Sequence, residues 1–180
     1  MPMTLPLIPD GPRHYPRAAR WLHWLMAIGL IWILTSASVH ALLPKSGLDE
    51  FMWPTHKHVG TVLLVLVVIR LGLAVAQRAA RPRSTSRLAS LGHVALYALM
   101  LAIPTLGLLR QIGSGRAFSP LGLPLIPGFD GPKIDGLVNL GNDLHGELGW
   151  VLLALALGHV LMVIVHVVKG EAHIWHRMRG

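Results

Sequence analysis

The chain has no cysteine, and only 13% of its 180 residues are charged. Without thiols it can form no disulfide, no thiolate zinc site, no cysteine-held iron–sulfur cluster and no covalent c-type haem link. Its redox compartment is therefore not legible from cysteine usage. An ordinary soluble domain carries roughly a quarter charged residues, so the shortage excludes most soluble enzymes and points to lipid as the main solvent. Acidic side chains are scarcest, 8 Asp and Glu against 16 Lys and Arg. Apolar residues make up 53% of the chain, and there are 11 histidines.

Crossing a hydrocarbon core takes about 20 mostly apolar residues in a helix. Four runs meet that length, at about residues 21–43, 56–76, 88–109 and 144–168. They predict an all-α fold, a four-helix transmembrane bundle in a single domain over residues 1–180. Helices satisfy their own backbone donors and acceptors, which is what lipid demands. Residues 1–20 are long and proline-rich, and the run beyond is too long for the apolar core of a signal peptide, so the first span reads as retained.

The cations set an expected orientation. Arg13, Arg17 and Arg20 precede the first span, Arg78, Arg81, Arg83 and Arg87 fill the second connection, and Lys169, Arg177 and Arg179 follow the fourth span. By the positive-inside rule these segments and both termini are expected in the cytoplasm. In the first and third connections Lys45, Arg110, Arg116 and Lys133 are balanced by Asp49, Glu50, Asp130, Asp135 and Asp143, as expected of a periplasmic face. The net charge of +8 is then a topology signal, not a nucleic-acid one. The long third connection, residues 110–143, is rich in Gly and Pro and is expected to cap a site.

Ionisable groups inside a span are costly and face the bundle interior, so the intramembrane histidines carry the functional information. His14, His173 and His176 fall outside the spans, and His40 lies about 100° around the first helix from His23 and reads as structural. His145 and His159 are 14 positions apart, about four turns, and so share nearly one face at two depths. His166 continues that face. His56 opens the second span level with His145, and His23 lies near the level of His159. The result is two histidine pairs, one per leaflet, the arrangement a bis-histidine b haem needs in a bundle core. Gly60, Gly149 and Ala27 each follow a candidate ligand by four positions and leave room for a flat macrocycle. Two sites of two histidines without carboxylates suit zinc poorly. Depth alone leaves His93 as a rival to His23 for pairing with His159. Arg70 either snorkels or pairs with a haem propionate.

These features resemble the bacterial cytochrome b561 family of small four-helix dihaem membrane cytochromes, over about residues 17–178. The matching features are His23-Trp24, the run His56-Lys57-His58-Val59-Gly60 with Arg70-Leu71 closing that helix, and Leu91-Gly92-His93 followed by Tyr97, Pro104 and Gly107. His145, His159 and His166 complete the pattern on the fourth helix. The resemblance implies two b haems, one held by His23 and His159 and the other by His56 and His145, with His93 and His166 as non-ligands near the first. Two departures are Leu144-His145-Gly146-Glu147, where some relatives have Trp-His-Glu, and His58 in place of a common small residue.

Some members are similar to a membrane superoxide oxidase that passes electrons from periplasmic superoxide to ubiquinone; larger relatives reduce quinone for hydrogenases or formate dehydrogenases. The short chain favours the first, with electron uptake near Lys57, although balanced outer loops steer an anion weakly. The alternatives are a general quinone-linked conduit and a non-redox metal carrier using its histidines for transient ions. His93 and His166 are the expected quinone contacts, with His56, His58 and His145 under the third connection as the competing position.

Overall fold

The structure is a computed structural model, and it describes residues 14–82 and 84–179. Arg13 and Arg83, two of the cations used above to orient the chain, lie outside the described residues. Four long helices are apolar enough to cross a membrane. They are α1 (Arg17–Leu42), α3 (His56–Ala76), α4 (Arg87–Gly113) and α5 (Asp135–Val168), with short helices α2 (Gly47–Met52) between α1 and α3 and α6 (His173–Arg179) at the end. Each long helix packs on the next in sequence, α1 on α3, α3 on α4 and α4 on α5. No β-strand longer than an isolated bridge occurs among the described residues.

Local chemistry explains the boundaries. Pro16 precedes α1, where its missing N–H costs nothing. The Ser86 hydroxyl accepts from the Ala89 amide and caps α4. Ser46 does the same for α2 through Asp49.

Helix α5 begins at Asp135, nine residues before the apolar run expected at 144. An apolar-run reading measures the hydrocarbon thickness and not the helix. At 1.5 Å per residue, 34 residues extend about 50 Å, well past a core of about 30 Å. Tight packing on α4 holds the extra turns: a Cβ on Gly141 would fall 2.5 Å from Arg110 Cβ and 3.0 Å from the Leu106 carbonyl. Only glycine permits that approach.

The interior core is small. Met26, Leu63 and Val67 are buried, with Leu22, Ile33, Val59, Tyr97 and Met100 packed around them. Many large apolar side chains lie on the outside, among them Ile28, Ile31, Val65, Val68, Val160 and Leu161. A soluble protein rarely exposes so much contiguous apolar surface, and here lipid covers it.

The two ends of the bundle differ. At the terminal end α6 folds back on the start of α1: Trp24 Nε1 donates to the Met178 carbonyl (3.2 Å), His14 Nδ1 to the His176 carbonyl (2.9 Å), and Trp24 meets Trp175 edge-on. The opposite end carries the α4–α5 connection and is called the loop end below. That connection is ordered by a Phe118–Ile126 bridge and by buried Gln111, whose amide donates to the Arg116 carbonyl (2.9 Å).

Candidate functional site: two histidine pairs across the bundle

The expected pairs are present. At the loop end the His56 and His145 ring centres are 6.2 Å apart. At the terminal end His23 and His159 are 6.4 Å apart. The backbones of α1 and α3 make no extended contact with α5, and in each pair the rings meet edge-on, with interplanar angles of 67° and 69°. A small apolar cavity lined by Leu30, Gly60, Leu63, Met100, Pro104 and Leu152 lies between the two levels.

At the loop end the hydrogen bonds decide which ring nitrogen is free. The Ser36 hydroxyl gives its hydrogen to the Ile33 carbonyl (2.8 Å), so its oxygen accepts from His56 Nδ1 (2.8 Å). His145 Nδ1 lies 2.8 Å from the Ile103 carbonyl, which can only accept. Both rings therefore carry their proton on Nδ1 and leave the Nε2 lone pair free. Gly107 makes the second bond possible, since a Cβ there would sit 3.0 Å from His145 Cε1. A brace supports His56 from outside. Its ring lies 4.7 Å from Trp53, which stacks on His40 at 3.6 Å, and His40 Nδ1 donates to Asp49 (2.9 Å). The structural role expected of His40 thus has a specific partner.

The terminal-end pair is supported differently. His23 lies edge-on to Trp24 at 5.3 Å, and neither His23 nor His159 makes a side-chain hydrogen bond to another described residue. His93 is 5.5 Å from His159, so both candidates for pairing with His159 reach it. Arg70 is half-buried. Its Nε donates to Tyr97 Oη (2.9 Å) and its Nη1 to the Ala19 carbonyl (2.7 Å), which holds its charge within electrostatic reach of His23, His93 and His159.

A profile of the family described as prokaryotic cytochrome b561 matches residues 14–180. The chain belongs to that family. It is 28% identical over 151 residues to cytochrome b561 homolog 1 of Escherichia coli K12, covering 78% of this chain and 84% of the relative. It is also 28% identical over 186 residues to cytochrome b561 homolog 2 of the same organism, covering 95% and 94%. Cytochromes b561 bind b-type haem and carry electrons in membranes, and this chain is a multi-pass bacterial membrane protein of that kind.

The donor set fits a b haem. An iron between two ring nitrogens at about 2 Å each leaves the ring centres roughly 6 Å apart, as both cytochrome b561 pairs have them. Nδ1 donation to a fixed acceptor is the usual support of a metal-binding imidazole.

Other residues singled out in the sequence fall less simply. Lys57 Nζ donates to Gln111 (3.3 Å) and lies 5.3 Å over the Phe118 ring, under the ordered connection expected to cap a site. His58 packs near Phe118 at 5.5 Å, with its buried Nδ1 unpartnered among the described residues. His166 Nδ1 donates to Glu171 (2.6 Å), and its side chain is partly exposed. The braces through Ser36, Ile103, Trp53 and Asp49 were not foreseen. The single available signal was Gly107 in the third helix.

Proposed function

We propose that this cytochrome b561 is a dihaem electron carrier that takes electrons from periplasmic superoxide and delivers them to ubiquinone. The two histidine pairs, at 6.2 and 6.4 Å, carry the reading. His56 and His145 would hold one b haem and His23 and His159 the other. The haems supply one-electron chemistry, and the chain supplies imidazole ligands, orientation and a low-dielectric shell.

The balance is simple: two superoxide ions give up one electron each and leave as dioxygen, while a quinone takes two electrons and two protons to become the quinol. At the loop end Lys57, next to His56 in the chain and bonded to Gln111, is the cation proposed to receive the anion. At the terminal end His93, Tyr97 and Arg70 group beside His159, and His93 is the residue proposed to bond a quinone carbonyl. The arginine-rich second connection supports, by the positive-inside rule, a cytoplasmic side for that end and for both termini in a bacterial inner membrane.

Stopped-flow mixing with superoxide tests the reading: prompt reduction in the haem α-band, reversed by added ubiquinone, is the expected result. A general quinone-linked conduit draws on Lys57 being engaged by Gln111 and not free to receive an anion. In that case superoxide leaves the spectrum unchanged while a quinol reduces it. Against a metal carrier stands the absence, among the described residues, of any group of three or more His, Asp or Glu arranged to hold an ion. A visible spectrum of the purified protein separates that class at once.

A further inference from the structure

We propose that Ser36 and the Ile103 carbonyl lower the potential of the site at His56 and His145, and that Arg70 raises the potential of the site at His23 and His159. This rests on the two-haem reading above.

At the loop end both ligand rings donate from Nδ1, His56 to Ser36 Oγ and His145 to the Ile103 carbonyl, each at 2.8 Å. Such donation raises the basicity of the nitrogen facing the iron and so favours the ferric state. Ser36 is fully buried and spends its own hydrogen on the Ile33 carbonyl. That fixes its oxygen as an acceptor and polarises it further. Gly107 gives the other ring its room, because a Cβ there would lie 3.0 Å from His145 Cε1 and 3.2 Å from Nδ1, so that a side chain shifts the ring and weakens its bond to Ile103.

At the terminal end the opposite conditions hold. His23 and His159 donate no side-chain hydrogen bond to a described residue. The guanidinium of Arg70 is fixed by Tyr97 and by the Ala19 carbonyl, one turn before His23. A fixed, half-buried positive charge favours the state with less positive iron, the ferrous one. The loop end has cations too, with Arg110 within electrostatic reach of His145 and Lys57 on Gln111. Both are exposed, so water and salt screen them. Ligand and charge effects thus act in one direction. Moving one electron from the loop-end site to the terminal-end site, oxidising ferrous iron at the first and reducing ferric iron at the second, is then downhill.

The test is an anaerobic spectroelectrochemical titration of the purified, haem-loaded protein with low-temperature EPR. Wild type should titrate in two steps, the lower of which disappears in His145→Ala. Ser36→Ala should raise the lower step alone, and Arg70→Gln should lower the upper step alone. Should Ser36→Ala fail to load haem, Gly107→Ala supplies the second measure, with a smaller upward shift expected as the displaced ring bonds Ile103 more weakly. A lower step that survives His145→Ala but is lost in His159→Ala overturns the inference, as does a lower step unmoved in both Ser36→Ala and Gly107→Ala. Two haems titrating together also overturn it and leave the two-haem reading intact, whereas a pyridine haemochrome value of one haem per chain overturns that reading itself.

Discussion

The loop-end and terminal-end pairs have nearly the same ring separation, yet the protein builds them by different means. At the loop end each imidazole is tied through Nδ1 to an acceptor on another helix, and His56 is further braced by Trp53, His40 and Asp49. At the terminal end the rings are held by packing against Trp24 and His93, with Arg70 clamped alongside. One site is defined by hydrogen bonds and the other by ring contacts and a charge. The two ends should therefore fail differently when perturbed.

Removing a ligand is the harshest way to break the comparison. His145→Ala should lose the loop-end haem and keep the other, halving the pyridine haemochrome value. His159→Ala should halve it too, with the complementary EPR signal surviving. Because His93 lies 5.5 Å from His159, a His23→Ala variant that retains both bis-histidine signals would show His93 taking over, and His23→Ala/His93→Ala would then lose the terminal-end haem.

Gly107→Leu comes next. The new side chain must occupy space 3.0 Å from the His145 ring, so the ring turns away and haem content falls at the loop end. The terminal-end signal should be unchanged in the same sample. Equal loss at both ends would mean that the substitution disturbs α4 as a whole and not the ring.

Much of this plan is legible in the sequence because the bilayer imposes it. Span lengths follow from hydrocarbon thickness, and histidine depths follow from counting turns, which brings His56 level with His145 and leaves both His23 and His93 near the level of His159, a choice made only by the family resemblance. What is not legible depends on three-dimensional neighbours. Ser36 is an ordinary apolar-helix serine until α3 brings His56 to it from 20 positions away. The Ile103 carbonyl is backbone and leaves no trace except the glycine at 107. The start of α5 at Asp135 escaped because its first turns lie outside the hydrocarbon and are held by Gly141 packing, which carries no hydropathy signal. His166 looked like an unassigned intramembrane imidazole because Glu171, its partner, comes after the span ends.

A smaller effect should separate the ends by chemistry and not by occupancy. His93→Phe keeps a planar ring, slightly larger, and removes the polar nitrogens beside His159. Haem content and both spectra should stay intact while haem oxidation by added ubiquinone slows several-fold. If the rate is unchanged there and falls in His58→Phe, the quinone site belongs at the loop end, beneath Phe118, where His58 has its buried, unpartnered Nδ1.

The smallest expected effect concerns the histidine–carboxylate contacts that close each end. At the loop end His40 pairs with Asp49, which is 7% exposed and also accepts from the Lys45 amide (2.9 Å), and the same ring stacks on Trp53. At the terminal end His166 pairs with Glu171, whose side chain is 47% exposed. An exposed pair is screened and gives up side-chain entropy to form, so its contribution is of the order of 1 kcal/mol or less. Glu171→Gln should therefore shift thermal unfolding barely, and less still in high salt, with both haem signals unchanged. His40→Ala should lower the unfolding temperature more, because it strands a buried carboxylate and removes the stacking partner of Trp53, and it should broaden the loop-end EPR signal alone. A Glu171→Gln variant that instead slows quinone turnover with intact spectra would make His166 a quinone contact together with His93.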